Sequence, residues 1–346
     1  MDRNSLTFTD NEIQEQLKSS NHLLTIIDEI VDWSRIRVFL QPTDSRNKSH
    51  YGRDCYNPES ILRVLIIKEL YCLSDRQTEE NIRYNILYKW FCKFSFNAPV
   101  PDHATICRWR ERFIQHNIFE KIFKDFYLQL NEKGYGIKKG TVIDATIVKS
   151  VARPRKTSII DINKSADESA GESEVTVTTE TSKDPDATYK IKGKKIDYGY
   201  QVTAATDENG VIMYLDTTPA NEYEGSQLPK IIKEIKPTAG TTVYADKGYS
   251  SAINRECVTT NKLKDGIMIK KAKNKDMTEE DKEHNKAISE KRYVVERAFG
   301  TMKRRLNFAR SIYFGLRRTY NRNLFIGFIH NLLRAPNLPR ESCVQS

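Results

Sequence analysis

The sequence predicts an α/β protein: an all-α region over residues 1–130, then a domain over residues 136–335 built on a mixed five-stranded sheet with flanking helices. Two observations predict it. Up to about residue 130 the chain reads as short helices separated by tight turns. From about residue 136 the apolar pattern changes to short runs rich in β-branched residues, the signature of strands. A chain of 346 residues, 38% hydrophobic and 29% charged, is long enough for about two domains with a sizeable core.

Residues 1–50 are polar with helical spacing and close at Phe39-Leu-Gln-Pro42. Asn57-Pro-Glu-Ser60 reads as a helix start. The helix that follows, Ile61 to Tyr71, is apolar on most sides, as a buried helix would be. Ser74 precedes another helix with N-cap chemistry, and Tyr88 to Phe94 is dense in aromatics. Pro99-Val-Pro-Asp-His103 breaks the chain. Thr105 to Gln115 then resumes as a helix carrying Arg108, Arg110 and Arg112.

Strands are predicted at 141–148, 198–206, 211–215, 241–245 and 266–270. Asp207-Glu-Asn-Gly210 is a hairpin turn between the second and third. Helices are predicted from Gly225 to Ile235, after Gly248, and from Ala287 to Leu306. The order βββαβαβα implies an RNase H-like core. In that architecture an acid on strand one, the residue after strand four and a residue of the late helix converge at one sheet edge. Residues 157–188 interrupt the core with eight acids against two lysines and few large apolar residues, which predicts a mobile excursion.

The formal net charge of +10 points to a polyanionic partner. No apolar run is long enough to span a membrane and no signal segment opens the chain, so a cytoplasmic location is expected. Six cysteines, none at Cys-x-x-Cys spacing and none in a zinc pattern with histidine, predict reduced thiols rather than a disulfide framework.

Three carboxylates stand out. Asp144 lies inside the apolar run Thr141-Val-Ile-Asp-Ala-Thr-Ile-Val148. Asp246 closes Thr241-Thr-Val-Tyr-Ala-Asp246. Glu296 sits in a helical segment with a basic exit. A lone acid among apolar residues is costly unless something positive balances it. Two strand-borne Asp and one helix-borne Glu would suit Mg²⁺ or Mn²⁺, and paired metals support phosphoryl transfer. Taken singly, each acid is more often a cap, a turn residue or a solvated charge. Arg292 and Lys303 share the Glu296 face of the helix and could pair with it or hold a phosphate. Lys247, beside Asp246, is a weaker candidate. The run Lys303-Arg-Arg305, with Arg310, Arg317, Arg318 and Arg322 beyond it, suits a phosphate backbone. His330, on an apolar helix, reads as a packed residue. Glu290 reads as solvated, and Glu296 as lying near the core.

These residues resemble those of the IS5 group of bacterial insertion-sequence transposases, which carry a DDE catalytic domain. The matching pieces in the N-terminal half are Leu62 to Arg76 and Val100-Pro-Asp-His-Ala-Thr105. In the second half they are Val142-Ile-Asp-Ala-Thr146, Asp184-Pro-Asp-Ala187, Tyr198-Gly-Tyr200, Thr218-Pro-Ala-Asn221 and Ala245-Asp-Lys-Gly-Tyr249. Arg292, Glu296 and Lys303 match the spacing of the family's Y-R-E-K signature, although its leading Tyr falls on Ser289. The resemblance implies a transposase that cuts DNA at element ends and joins the 3′-hydroxyl to target DNA. It implies two Mg²⁺ or Mn²⁺ ions held by Asp144, Asp246 and Glu296. Arg292, Lys303, Lys247, Arg304 and Arg305 would contact DNA, and Arg108 and Arg112 of the helical region would read the ends, unless that region is a helical bundle for dimerisation, with a homodimer synapsing two ends. Two other readings stay open: a transposase-derived DNA-binding protein without catalysis, and a metal-dependent nuclease on the same fold.

Overall fold

A computed structural model describes residues 15–17, 21–44, 55–135, 140–152, 158–162, 175–179, 183–192, 194–271 and 276–339. The helical reading of residues 1–14 and 45–50, and half of the 157–188 excursion, lie outside them.

Among the described residues the helical region holds α1 (Leu23–Ile30), α2 (Trp33–Leu40), α3 (Pro58–Leu70), α4 (Asp75–Tyr84), α5 (Ile86–Phe91), α6 (His103–Gln115) and α7 (Ile118–Glu132). Their starts follow from capping chemistry. Asn57 accepts from the Glu59 N–H with Pro58 in the first turn, Ser74 and Gln77 form a reciprocal capping box, and Asp102 accepts from the Thr105 N–H. Every residue of α3 is buried, as its apolar surround predicts.

The sheet contains β1 (Thr141–Lys149), β4 (Thr188–Lys192), β5 (Lys195–Thr206), β6 (Ile212–Pro219), β7 (Thr242–Ala245) and β8 (Lys264–Ile267). Two further strands, β2 (Ser158–Ile162) and β3 (Val175–Thr179), pair only with each other. The order β6–β5–β1–β7–β8 is antiparallel up to β1 and parallel beyond it, which is RNase H-like connectivity. The expected five strands are therefore joined by a sixth. At twelve residues, β5 is long enough to pair with β4 through 195–199 and with β6 through 200–206. The turn between β5 and β6 forms because Asp207 accepts from the Asn209 and Val211 N–H groups while Gly210 takes φ +80.

Helices α8 (Leu228–Ile235), α9 (Ala252–Thr260), α10 (Glu279–Arg305) and α11 (Leu316–Arg334) complete the fold. The late helix starts at Glu279 rather than Ala287, because Thr278 and Asp281 form a capping box eight residues earlier. The end of the acidic excursion is fixed rather than mobile. Asp184 is fully buried and accepts from Ser150 Oγ at 2.5 Å, Tyr200 Oη at 2.5 Å and the Gly315 N–H at 2.9 Å. Asp186 accepts from the Leu316 N–H, so two carboxylates meet the positive end of α11.

Helix α11 is buried along most of its length. The Asn331 amide exchanges hydrogen bonds with Ile212 of β6, and Phe325 packs tilted against Phe119 and Phe328 edge-to-face against Phe126 of α7, at 4.8 and 5.2 Å between ring centres. Each fully buried ring contributes about 1.5–3 kcal/mol. One apolar cluster runs from Leu24 through α3 and α7 to Val142 and Leu332. The change from helix to sheet near residue 136 thus divides the secondary structure but not the core.

Candidate active site

Strands β1 and β7 run in parallel register with Ile143 beside Ala245, so the next residues, Asp144 and Asp246, are neighbours. Asp246 takes the residue after the fourth core strand, as expected, and its Oδ1 accepts from the Lys247 N–H at 2.5 Å. Helix α10 brings Glu296 to the same edge. The Asn285 amide holds Ile269 through both its N–H and its carbonyl, which clips α10 to the chain leaving β8.

Arg292 occupies the centre. Its guanidinium lies 3.0 Å from Asp144, 3.7 Å from Glu296 and 4.0 Å from Asp246. The arginine side chain is 9% exposed, against 18% for Asp144, 34% for Asp246 and 52% for Glu296. Glu296 therefore stands at the rim of the site, half in solvent, and the side of the helix that meets the core carries Arg292, Val295, Phe299 and Met302. Glu290 is exposed, as expected. Burial pushes the Asp144 carboxyl up to about 6, against the pull of Arg292 and with a further push from Glu296 and Asp246. One cation among three acids leaves the cluster short of positive charge.

Lys303 reaches the site from below and donates to Thr146 Oγ1 at 2.5 Å. Thr146 lies two residues beyond Asp144, hence on the same face of β1. Burial, with repulsion from Lys195, lowers the Lys303 pKa, while Asp144 and Asp197 oppose the shift.

The remaining sequence candidates lie apart from the acids. Lys247 is exposed, with its backbone N–H rather than its ammonium on Asp246. Arg304 and Arg305 are exposed, and Arg304 Nε donates to the Gly300 carbonyl. On α6, Arg108 is exposed and donates to Thr105 Oγ1, while Arg112 lies over the Trp109 ring at 4.5 Å. Both border an open cleft of about 470 Å³ between α6 and α4. Between them, Arg110 is buried and paired with Asp75 at 2.9 Å. His330 is packed, as expected, with its Nε2 on the Gly210 carbonyl. The sequence reading missed Thr146, Asn285 and Asp184. Asp184 and Thr146 had a signal, their places in the Asp184-Pro-Asp-Ala187 and Val142-Ile-Asp-Ala-Thr146 motifs, and Asn285 had none.

Among the described residues no three His, Cys, Asp or Glu side chains stand together closely enough to hold a metal ion. The chemistry of the three acids around Arg292, though not their spacing, suits one. Three hard carboxylates face a single cationic group within 4.0 Å, and a hard divalent cation wants oxygen donors of that kind.

Residues 136–332 match the family model described as "Transposase DDE domain", and residues 11–112 match "Transposase domain (DUF772)". The chain is 36% identical over 232 residues to the transposase for insertion sequence element IS1106 of Neisseria meningitidis serogroup B, covering 66% of this chain and 77% of that protein. Among solved structures it is similar to a piggyBac transposase synaptic complex with hairpin DNA, at TM-score 0.43 and 11% identity, over 96% of this chain and 77% of that one. It is also similar to a Mos1 mariner paired-end complex with Mn, at TM-score 0.22 and 11% identity, over 96% and 91%. Likeness at that level says nothing further about the site.

The sheet order and its acidic edge define an enzyme domain of RNase H-like connectivity behind a helical region. The chain belongs to the DDE transposase family, and it is a DNA transposase of the insertion-sequence kind.

Proposed function

We propose that this transposase belongs to the IS5 group, and that it cleaves DNA at insertion-sequence ends and transfers the 3′-hydroxyl strand into target DNA, with Asp144, Asp246 and Glu296 as its catalytic acids. The observation that supports this most is the convergence of the three on one guanidinium. Two divalent cations, Mg²⁺ or Mn²⁺, would supply activation of the attacking oxygen and stabilisation of the leaving one. Asp144, between the other two acids, would share both ions, and Asp246 and Glu296 would hold one each. Arg292 holds the three acids in one place, and the charge it leaves uncompensated favours cation uptake. Lys303, which donates to Thr146, would hold a backbone phosphate next to the acids. Lys247, Arg304 and Arg305 are exposed cations on the approach to or beyond that edge and would contact the duplex.

The helical region would read the element's ends. Arg108 and Arg112 share a face of α6 and border an open cleft, where phosphate contacts set register and base-edge contacts set sequence choice. Two such chains would bring two ends together as a homodimer. No helix among the described residues is long and apolar enough to cross a membrane, and we place the protein in the cytoplasm.

The test is purified full-length chain with duplex carrying the element's terminal repeat, with Mg²⁺ or with EDTA. Metal-dependent nicking followed by joining to a second duplex is expected. Nicking without joining would leave a nuclease. Specific binding with neither step would leave a DNA-binding protein.

A further inference from the structure

The face of α10 turned away from the acids carries a second cationic feature. Arg297, Thr301 and Arg305 stand at i, i+4 and i+8. At about 100° per residue they are rotated by roughly 100° to 180° from Glu296 around the helix. Together with Arg334 and His330 of α11 they line an open cleft of about 230 Å³ whose floor is closed by the Gly210 turn.

No acidic side chain lines this cleft, and among the described residues none of its three arginines forms an ion pair. Arg334 Nε donates to the Asn209 carbonyl, and the charges of Arg297 and Arg334 repel each other across the cleft. Asp207, whose charge reaches Arg334, directs its Oδ1 at the N–H groups of its own turn. His330 is 4% exposed, and with Nε2 on the Gly210 carbonyl its Nδ1 is buried without a partner. A buried polar atom of this kind is ordinarily satisfied by an ordered water. Such a water could also donate to an anion held by the guanidinium groups.

Three arginines lining one cleft without an ion pair, with the Thr301 hydroxyl beside them and an acceptor at His330 that a bridging water can satisfy, describe a receptor for a tetrahedral oxyanion. We propose that the cleft formed by Arg297, Arg305, Arg334 and His330 binds a backbone phosphate of duplex DNA, as a second contact separate from the acidic site on the other face of α10. The DNA identity of the phosphate rests on the transposase reading. The anion chemistry does not.

Two arms test it with the full-length chain. In EDTA, inorganic phosphate should raise the thermal midpoint of the wild type in a saturable way, beyond chloride at equal ionic strength. The Arg297→Gln/Arg305→Gln variant should lose that rise, and Arg297→Lys/Arg305→Lys should recover part of it. In duplex binding between 50 and 300 mM salt (about a sixfold range), the Gln variant should give a log–log salt slope shallower by about 1 to 2, the signature of one or two lost phosphate contacts. Equal slopes together with a lost phosphate effect would overturn the DNA assignment and leave a site for free phosphate. Equal behaviour in both arms would overturn the site altogether. Failure of the wild type to bind any duplex would sink the transposase reading, while the phosphate arm would still decide the cleft.

Discussion

Arg63 and Arg292 are both buried arginines that face acids, and they are built to opposite ends. Arg63, in the helical region, is 1% exposed. It holds Asp28 at 2.6 Å, Glu59 at 2.9 Å and the Phe91 carbonyl at 3.0 Å, with its guanidinium 3.5 Å above the Trp33 ring. Its two acids are shared with Lys93 and Arg37, so three cations meet two anions. Arg292 meets three acids alone, at 3.0 to 4.0 Å, and its Nε is buried without a hydrogen-bond partner. A charge network that closes on itself is scaffolding. One left two positive charges short, with loose contacts, is ready to exchange or share its cation.

The largest effect expected from that difference is on chemistry. Asp144→Ala, Asp246→Ala and Glu296→Ala should each reduce metal-dependent cleavage by on the order of 10³-fold or more, since several kcal/mol of charge stabilisation are lost at about 1.4 kcal/mol per tenfold. The circular dichroism spectrum should be unchanged. Retained cleavage in any one variant would remove that acid from the site.

Next comes stability. Arg63→Ala removes the buried cation that joins Asp28 and Glu59, leaving each with only its more exposed partner, Lys93 or Arg37, and should cost about 3–5 kcal/mol in denaturant titrations. Arg292→Ala in EDTA should cost only about 1–2 kcal/mol, because Asp144 can take up a proton and the other two acids already reach water. Added Mg²⁺ should recover that loss in Arg292→Ala and do nothing for Arg63→Ala. Equal costs for the two would erase the contrast between them.

A third test uses acid. Burial, with help from Arg334 and Arg297, pushes His330 down from 6.5 to about 4. The unfolded chain therefore takes up a proton first. Stability from the neutral imidazole is present above pH 6.5 and is lost as pH falls toward 4, by about 3 kcal/mol at most. His330→Gln, which preserves a donor toward the Gly210 carbonyl, should flatten that part of the pH–stability curve. A wild-type curve parallel to the variant's between pH 6.5 and 4 would place a charged imidazole in the core.

The smallest expected effect is none. Glu290 is exposed and lies off the acid face, so Glu290→Gln should cleave within about twofold of wild type. A large loss there would mean that the register of α10, and with it the match to Arg292, Glu296 and Lys303, is wrong.

The acids were legible in the sequence because a carboxylate inside or at the end of a β-branched run is physically costly, and cost draws attention. The core strands were legible for the same runs. Strand β4 has no expectation behind it, because 189–192 fall between the acidic segment ending at 188 and the strand expected from Tyr198, although Tyr189 and Ile191 alternate with polar neighbours as a strand requires. The position of Arg292 was hidden because charges on helices are usually solvated, and only the meeting of three elements shows where this one points. The shared core of α7 and α11 was hidden as well. Phe119 and Phe126 look like any amphipathic stripe until their partners, about 200 residues away, are known. A fragment ending at residue 130 would expose that stripe to water, so end recognition has to be tested in the whole chain.

Ser150 and Asp184 touch, and that contact changes what the intervening stretch of chain costs. One hydrogen bond joins the two ends of that stretch, and its second end is also fixed at the start of α11. A closed loop of this kind pays only logarithmically for added length, about 0.6 kcal/mol per doubling. Because the Ser150–Asp184 contact already closes the two ends together, the sheet and its acids meet a change in the length between them only through that fixed pair.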